Sequence, residues 1–452
     1  MLTYLLNMVF AVVATVLFIR APWSYNYDYC ALLMSLFLVQ NVLFFATNKR
    51  THWLGFEFFF AISFFLVNFV YPVFYAPTER IYWSFFSLTF NDDYVTRCTA
   101  LAYCGYAWYL LGASRILQLQ REEPSAPSFS VSMREYLWFF GITVVAWLLF
   151  VVTGGLTALQ NVYTHGGDLN QVGIYSYFNN IFTVGCYLMA VFVFRLPKQK
   201  WWFYLLVLGT WMLILLSTGS RQLALGLALI LVVGFSMYVY RLKWWHVGLI
   251  LGVGTVGLFL VSTLRTAGID PAAWQGKLAH AQIESLWDVF EDLIINNVNL
   301  FVLYDFALTH DPTGLQGMLI DICSPIPGLG SYVIAHSEVP AAYLDGGALP
   351  TYLFFGPDNV GGTGTNMIGE AYRSFGLTGM CIAMFLVGLW VKESYYRAKD
   401  NIYWYLMSFL LVGHAIIYPR APILFDPRLV TWSLLSLWIV MGISHIKKEE
   451  KV

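Results

Sequence analysis

The stretch Gly361-Gly362-Thr363-Gly364-Thr365-Asn366-Met367-Ile368-Gly369-Glu370-Ala371-Tyr372-Arg373-Ser374-Phe375-Gly376 decides how the chain is read. It closes the one long mixed segment, residues 265–376, of a sequence otherwise built from apolar runs, and it leads straight into another such run. Glu370 and Arg373 therefore stand three residues apart at the mouth of a membrane helix, a spacing that puts both on one helical face. An ionisable side chain at membrane depth costs about 2.5–3.5 kcal/mol to insert, so its retention points to function. The rest of the chain reads as a scaffold for this segment and its helix.

Composition supports the membrane reading. The 452 residues are 59% hydrophobic and 11% charged, where a soluble protein carries about 25% charged residues. A net charge of −1 supplies no basic field for nucleic acid. The cysteines (Cys30, Cys98, Cys104, Cys186, Cys323, Cys381) are scattered, mostly within apolar runs, with no metal or disulfide spacing. The first apolar run lacks a positive leader and a small-residue cleavage site, so a retained span is expected there.

Apolar runs of about 17–25 residues cross a bilayer. Such runs predict an all-α polytopic membrane protein with about twelve spans, near 2–19, 28–46, 54–74, 97–117, 136–153, 174–194, 201–217, 222–240, 245–263, 366–390, 401–417 and 428–444. With both termini cytoplasmic, 16 of the 25 Lys and Arg residues fall on the inside, as the positive-inside rule asks. Three parts follow: helices 1–9 in residues 1–263, a large periplasmic loop in 264–365, and helices 10–12 with a cytoplasmic tail in 366–452.

Several loops carry their own expectations. Loop 75–95 is aromatic and acidic and reads as an interfacial lid; loop 154–173 is Gly-rich and holds His165 and Asp168. Within the long loop, Ile283, Leu286, Phe290, Leu293, Ile294 and Val298 recur at spacings of three and four, which predicts one or two amphipathic helices at the membrane surface. Pro325 and Pro327 stop any helix there. The Pro and Gly density of 338–362 predicts an irregular, mobile loop.

Three groups of residues could carry chemistry. Arg221, Arg265, Arg373, Arg420 and Arg428 lie at or near outer helix ends. Arg221 follows the small-residue turn Ser217-Thr218-Gly219-Ser220, where backbone N–H groups at a helix start favour anions. Arg on the face where the positive-inside rule disfavours it, with almost no Lys, suggests use of the guanidinium fork on phosphate; interfacial snorkelling is the plain alternative. Glu370 is the best-placed acid, either a general base toward a sugar hydroxyl or the ion-pair partner of Arg373. Asp321, Asp345 and Asp358 read as solvated loop acids, and His165 and His336 as outer-side histidines able to act as bases. Among the abundant aromatics, Tyr332, Tyr343, Tyr352 and Tyr372 are candidates for stacking on sugar rings. The sequence has no phosphate-binding Gly-x-x-x-x-Gly-Lys loop, no Asp-x-Asp and no zinc spacing, so no metal and no cofactor are predicted.

Leu216-Ser217-Thr218-Gly219-Ser220-Arg221 at a span boundary, the large outer loop, the run from Gly369 to Gly379 entering the next span, and the Arg-bearing turn before the last span together resemble the Wzy-type polymerases of O-antigen and related surface polysaccharides. The layout matches over the whole chain, while the motifs lie in its second half. The resemblance implies a GT-C-type membrane glycosyltransferase of the bacterial inner membrane, working on the periplasmic side after a flippase has delivered undecaprenyl-pyrophosphate-linked repeat units. The growing chain is the donor and the non-reducing sugar of a new unit is the acceptor. Arg221, Arg265, Glu370 and Arg373 carry over as catalytic residues, with Arg420, Arg428, His165, His336 and Tyr372 as substrate contacts. A chain-length regulator is an implied partner. Two other readings stand beside it. An O-antigen ligase of the same fold would use a loop His, here His336 or His310. A lipid-linked oligosaccharide flippase would need repeats and midplane charges, which the sequence does not show.

Overall fold

The structure, a computed structural model, describes residues 2–47, 53–78, 92–119, 129–158, 174–217, 221–264, 287, 290–357 and 362–449. The longer helices are, in order, α1 (Leu2–Arg20), α2 (Tyr27–Thr47), α3 (Phe56–Asn68), α4 (Val95–Leu119), α5 (Met133–Val152), α6 (Ile174–Phe192), α7 (Lys198–Ser217), α8 (Arg221–Tyr238) and α9 (Trp244–Leu264). The second half holds α10 (Glu291–Ile294), α11 (Asn297–Thr309), α12 (Leu319–Cys323), α13 (Leu329–Ala335), α14 (Leu349–Phe355), α15 (Met367–Arg397), α16 (Ile402–His414) and α17 (Pro427–Glu449). No strand occurs among the described residues.

Each of the twelve apolar stretches picked out in the sequence contains a helix. Six of the helices are long and apolar enough to cross a membrane: α1, α2, α5, α6 with its short extension to Arg195, α7 and α15. Their outward faces are apolar: Val9, Val12, Val42, Val145, Leu206, Leu213 and Ile382 are all exposed. In water that pattern would favour aggregation. Against hydrocarbon it is the ordinary surface of a membrane helix. The chain is a multi-pass membrane protein.

The chain divides into two compact units, Met1–Pro127 with Glu291–Pro427, and Ser128–Phe290 with Arg428–Val452. In the second unit α5 packs on α6, and α8 on α6 and α7. Its α5 starts on a capping box, in which the Ser132 hydroxyl accepts from Glu135 N–H and the Glu135 carboxylate accepts from Ser132 N–H. An open apolar groove in this unit is lined by Phe139 and Ile142 of α5, Ile181 and Leu188 of α6, and Trp432 and Leu435 of α17.

The first unit is organised around α15, which packs along α4, while α4 packs against α1. Small residues set that closeness, as they do wherever membrane helices cross without water to drive them together. A Cβ on Gly112 of α4 would lie 2.0 Å from the Phe385 carbonyl oxygen, and one on Gly388 of α15 would lie 2.1 Å from that of Tyr109. Gly388→Leu is therefore expected to cost about 1–3 kcal/mol or more by forcing two backbones apart. Gly257→Leu, with nothing within 4 Å of its Cβ position, is expected to be neutral. Thermal unfolding in detergent compares the two. Buried polar groups add further ties: Asn7 Nδ2 donates to Ser114 Oγ at 2.8 Å, Gln40 Nε2 to Asn7 Oδ1 at 2.8 Å, and Lys392 Nζ meets Glu57 Oε1 at 2.8 Å.

Helix α15 is not continuous. Gly376 has φ 65° and ψ −170°, a conformation that side-chain-bearing residues rarely adopt. The helix breaks there into a short segment from Met367, which carries Glu370 and Arg373, and a long segment running to Arg397.

Two expectations for the long loop are corrected. Helix α11 is not the amphipathic helix expected here. It packs against α15, with Val298, Leu300, Phe301, Leu303 and Tyr304 buried. Apolar residues all round its circumference, rather than on one stripe, explain why it is covered on several sides. Nor are residues 338–357 irregular: a 3-10 turn at Ala341–Leu344 and helix α14 occupy them. Pro350 sits in the first turn of α14, where a missing N–H has no consequence, and Gly356 ends it with φ 78°. Loop residues 79–91 and 159–173, with His165, and residues 265–286, with Arg265, lie outside the described residues.

Candidate active site at the start of helix α15

The polar run before α15 is fastened at Thr363, Thr365 and Asn366. Asn299 Nδ2 donates to the Thr363 carbonyl at 2.9 Å, Thr363 N–H donates to Thr351 Oγ1 at 2.9 Å, and Thr365 N–H donates to the Arg420 carbonyl at 3.4 Å. Asn366 then caps the helix. Its Oδ1 accepts from the N–H groups of Ile368 and Gly369 at 3.0 and 3.3 Å, and its Nδ2 donates to Asn68 Oδ1 at 3.0 Å. The turn chemistry fixes where the helix begins, and therefore where Glu370 and Arg373 point.

Both residues are buried, Glu370 at 0% and Arg373 at 1% exposure. They do not form the ion pair that the spacing allowed. Glu370 Oε2 accepts from the Ile423 N–H, and Arg373 Nη2 donates to the Gly317 carbonyl at 2.8 Å. Among the described residues, Glu370 Oε1, Arg373 Nε and Arg373 Nη1 have no hydrogen-bond partner. A buried polar atom left unpaired costs about 1–3 kcal/mol, more when charged. Spare capacity of this kind on an acid and a guanidinium one helical turn apart is characteristic of sites that engage a ligand.

The acids read in the sequence as solvated are not all so. Asp321 and Asp345 are half-buried, and Asp321 converges with Glu370 on Gly346. A Cβ there would lie 1.8 Å from Glu370 Oε1 and 3.3 Å from Asp321 Oδ2. Gly346 N–H donates to Asp321 Oδ2 at 3.4 Å, and Asp345 Oδ1 accepts from Gly347 and Ala348 N–H at 2.7 and 3.1 Å. Burial first, then the neighbouring Asp345 charge, push the Asp321 carboxyl up to about 7; the Gly346 N–H and the Arg373 guanidinium pull the other way. Gly317 brings Arg373 and Thr313 together: its Cβ position lies 2.6 Å from Thr313 Oγ1 and 3.0 Å from Arg373 Nη1. Asp321, Gly317 and Gly346 were missed as site residues because nothing local marks them. Only the fold of the 313–348 segment over α15 brings them in.

The other sequence candidates are placed as follows. Arg420 belongs to the same unit, on a 3-10 turn at Tyr418–Arg420, half-buried, with its carbonyl joined to the run before α15. Arg428, exposed, and Arg221, at the first position of α8, belong to the second unit; the Arg221 side chain lies outside the described residues. His336 is exposed at the end of α13, its Nδ1 2.9 Å from the Tyr332 carbonyl and its ring stacked on Tyr332 at 4.1 Å. Tyr372 stacks on Tyr304 at 5.4 Å and meets the edge of Phe18 at 6.0 Å, so its ring is engaged in internal packing rather than offered to a sugar. Tyr343 and Tyr352 pack with the buried cluster of Leu303, Phe306 and Leu349. Of the four tyrosines, Tyr332 is the exposed one. Asp358 lies outside the described residues.

Residues 351–450 match the family model of the O-antigen polysaccharide polymerase Wzy. The match supports the Wzy family. It spans α14 through α17 and so includes Glu370, Arg373, Arg420 and Arg428, while Asp321 and Gly346 precede it. For the Wzy family the implied activity is that of a polymerase, a glycosyltransferase-type reaction on lipid-linked polysaccharide. No curated protein and no solved structure matches the chain.

Proposed function

We propose that this protein is a repeat-unit polymerase of surface polysaccharide. It transfers a growing undecaprenyl-pyrophosphate-linked glycan onto the non-reducing end of a new lipid-linked unit, at the periplasmic face of the bacterial inner membrane. The observation that carries the reading is the buried, incompletely bonded pair Glu370 and Arg373 at the capped start of α15, inside the Wzy match. In this reading the chain crosses the bilayer twelve times in a GT-C-like arrangement with cytoplasmic termini, and residues 264–365 form the periplasmic loop. A flippase supplies the substrate, and a chain-length regulator is a partner.

The chemistry divides into three tasks. The acceptor hydroxyl must lose a proton, and the carboxylates around Gly346 are placed to take it. The leaving pyrophosphate must be stabilised. Arg373 has spare N–H donors but is enclosed, so it acts chiefly by its charge and by fixing the Gly317 loop. Arg420, Arg221, Arg265 and Arg428 are proposed as direct phosphate ligands on the resemblance alone. The polyprenyl tail needs an apolar path between the spans. His310 and His336, which the ligase reading would use, both engage the carbonyls of their own helices, and that reading gains no support.

The direct test uses purified protein in nanodiscs with the lipid-linked repeat of its own host. A ladder of multiple repeats on a gel is expected, and it is expected to persist in EDTA. A single unchanged band would sink the polymerase reading and return attention to the ligase or the flippase.

A further inference from the structure

We propose that Asp321 is the catalytic base that takes the proton of the acceptor hydroxyl, and that Glu370, the acid the sequence points to, is a positioning residue behind it. The proposal rests on the polymerase reading and deepens it.

The argument begins with access. Glu370 is wholly enclosed: Oε2 is held by the Ile423 N–H, and Oε1 lies so close to Gly346 that a single methyl group there would overlap it. A sugar hydroxyl is far larger than that space. Asp321 stands at the same convergence but on α12, in the outer segment, and is only half-buried. Its Oδ2 is oriented by the Gly346 N–H, and its Oδ1 accepts no hydrogen bond among the described residues. One oxygen is thus aimed by the backbone and the other is left for a ligand.

Charge supports the same division. The groups facing Asp321 are Asp345 on the adjoining segment, Glu370 and Arg373 on α15, and Asp426 on the turn before α17. Against one guanidinium these acids, Asp345 first, favour the protonated form of Asp321. Asp321 titrates at about 7, where a base combines availability with proton affinity. The described residues bring no set of three His, Cys, Asp or Glu side chains into a geometry that holds a metal ion, and Arg373 beside the acids opposes a cation.

In the step itself, the acceptor hydroxyl oxygen attacks the anomeric carbon of the donor glycan. A new C–O bond forms there. The bond from that carbon to the pyrophosphate oxygen breaks, and its electron pair leaves on undecaprenyl pyrophosphate. The hydroxyl proton passes to the Asp321 carboxylate, which later releases it to water through the outer segment.

The test measures initial polymerisation rate against pH for the full-length protein in nanodiscs. Wild type is expected to gain rate as pH rises through about 7 and then level off, because the base works deprotonated. Asp321→Asn should lose about 10²–10⁴-fold in rate while eluting as a folded, monodisperse species, and Asp321→Glu should recover part of that loss. Asp345→Asn removes the nearest like charge and should move the midpoint to lower pH. A wild-type ladder with an unimpaired Asp321→Asn overturns the assignment alone. A wild-type protein that makes no ladder overturns the polymerase reading and this assignment together. Should Asp321→Asn fail to fold, the Asp345→Asn midpoint decides: an unmoved midpoint overturns the proposal.

Discussion

Arg373→Ala is expected to make no polymer. The side chain is 1% exposed and its Nη2 holds the Gly317 carbonyl at 2.8 Å. Truncation removes that tie and leaves the carbonyl unpaired. It also removes the guanidinium that offsets the charges of Asp321, Asp345 and Glu370. Losing one sign of charge from a buried group of this kind costs about 3–5 kcal/mol. The variant should therefore insert but melt earlier, and both its ladder and its thermal unfolding in detergent should be measured. Arg373→Lys separates charge from shape. It keeps the cation but not the planar fork, so it should retain most of the stability and only part of the rate. Wild-type polymer from Arg373→Ala would remove this residue from the mechanism. Full activity in Arg373→Lys would show that charge alone is used, and that the bond to Gly317 is incidental.

What the sequence disclosed, and what it hid, follows from the range of the interactions. The helices were legible because a run of apolar residues is a local property, and each of the twelve stretches does hold a helix. Glu370 and Arg373 were legible because a charge at the edge of an apolar run is costly and therefore conspicuous. Their bonding was not. A three-residue spacing allows an ion pair, yet the fold supplies Ile423 N–H and Gly317 carbonyl as partners from segments about fifty residues away, and those partners carry no side-chain signature. Asp321 looked solvated for the same reason: its burial depends on Gly346 and Asp345, which only the folded loop brings beside it. Tyr372 was credited with sugar stacking, but Tyr304 and Phe18 claim its ring through contacts between α15, α11 and α1. Helix α11 was read as amphipathic from a periodicity that begins before it, whereas its own residues are apolar on several faces and find cover against α15.

Gly346→Ala should reduce polymerisation about 100-fold or more while leaving the fold intact. The new methyl carbon would stand 1.8 Å from Glu370 Oε1 and 2.6 Å from its Cδ, inside any tolerable contact. Gly346 needs no unusual backbone angle, so the substitution is not strained in itself; the nearest atoms its new carbon would meet belong to the carboxylates of Glu370 and Asp321. Glu370 must then give way. Its backbone is fixed in the first turn of a helix capped by Asn366, so the side chain must rotate, and the bond from Ile423 N–H is lost with it. Asp321 Oδ2, 3.3 Å from the same point, is pushed from the Gly346 N–H that orients it. A displacement of about 1 Å in such a constellation is enough for a 10²-fold loss in rate. Gly346 is itself buried, so a moderate loss of stability should accompany the loss of rate without unfolding the protein. Gly362→Ala provides the matched control, an exposed glycine of the same region whose added carbon meets nothing within 4 Å. The ladder assay on both variants, run beside thermal unfolding, reads the difference. If Gly346→Ala polymerises as fast as Gly362→Ala, the carboxylates that meet at Gly346 do not need their geometry, and proton transfer takes place elsewhere in the protein.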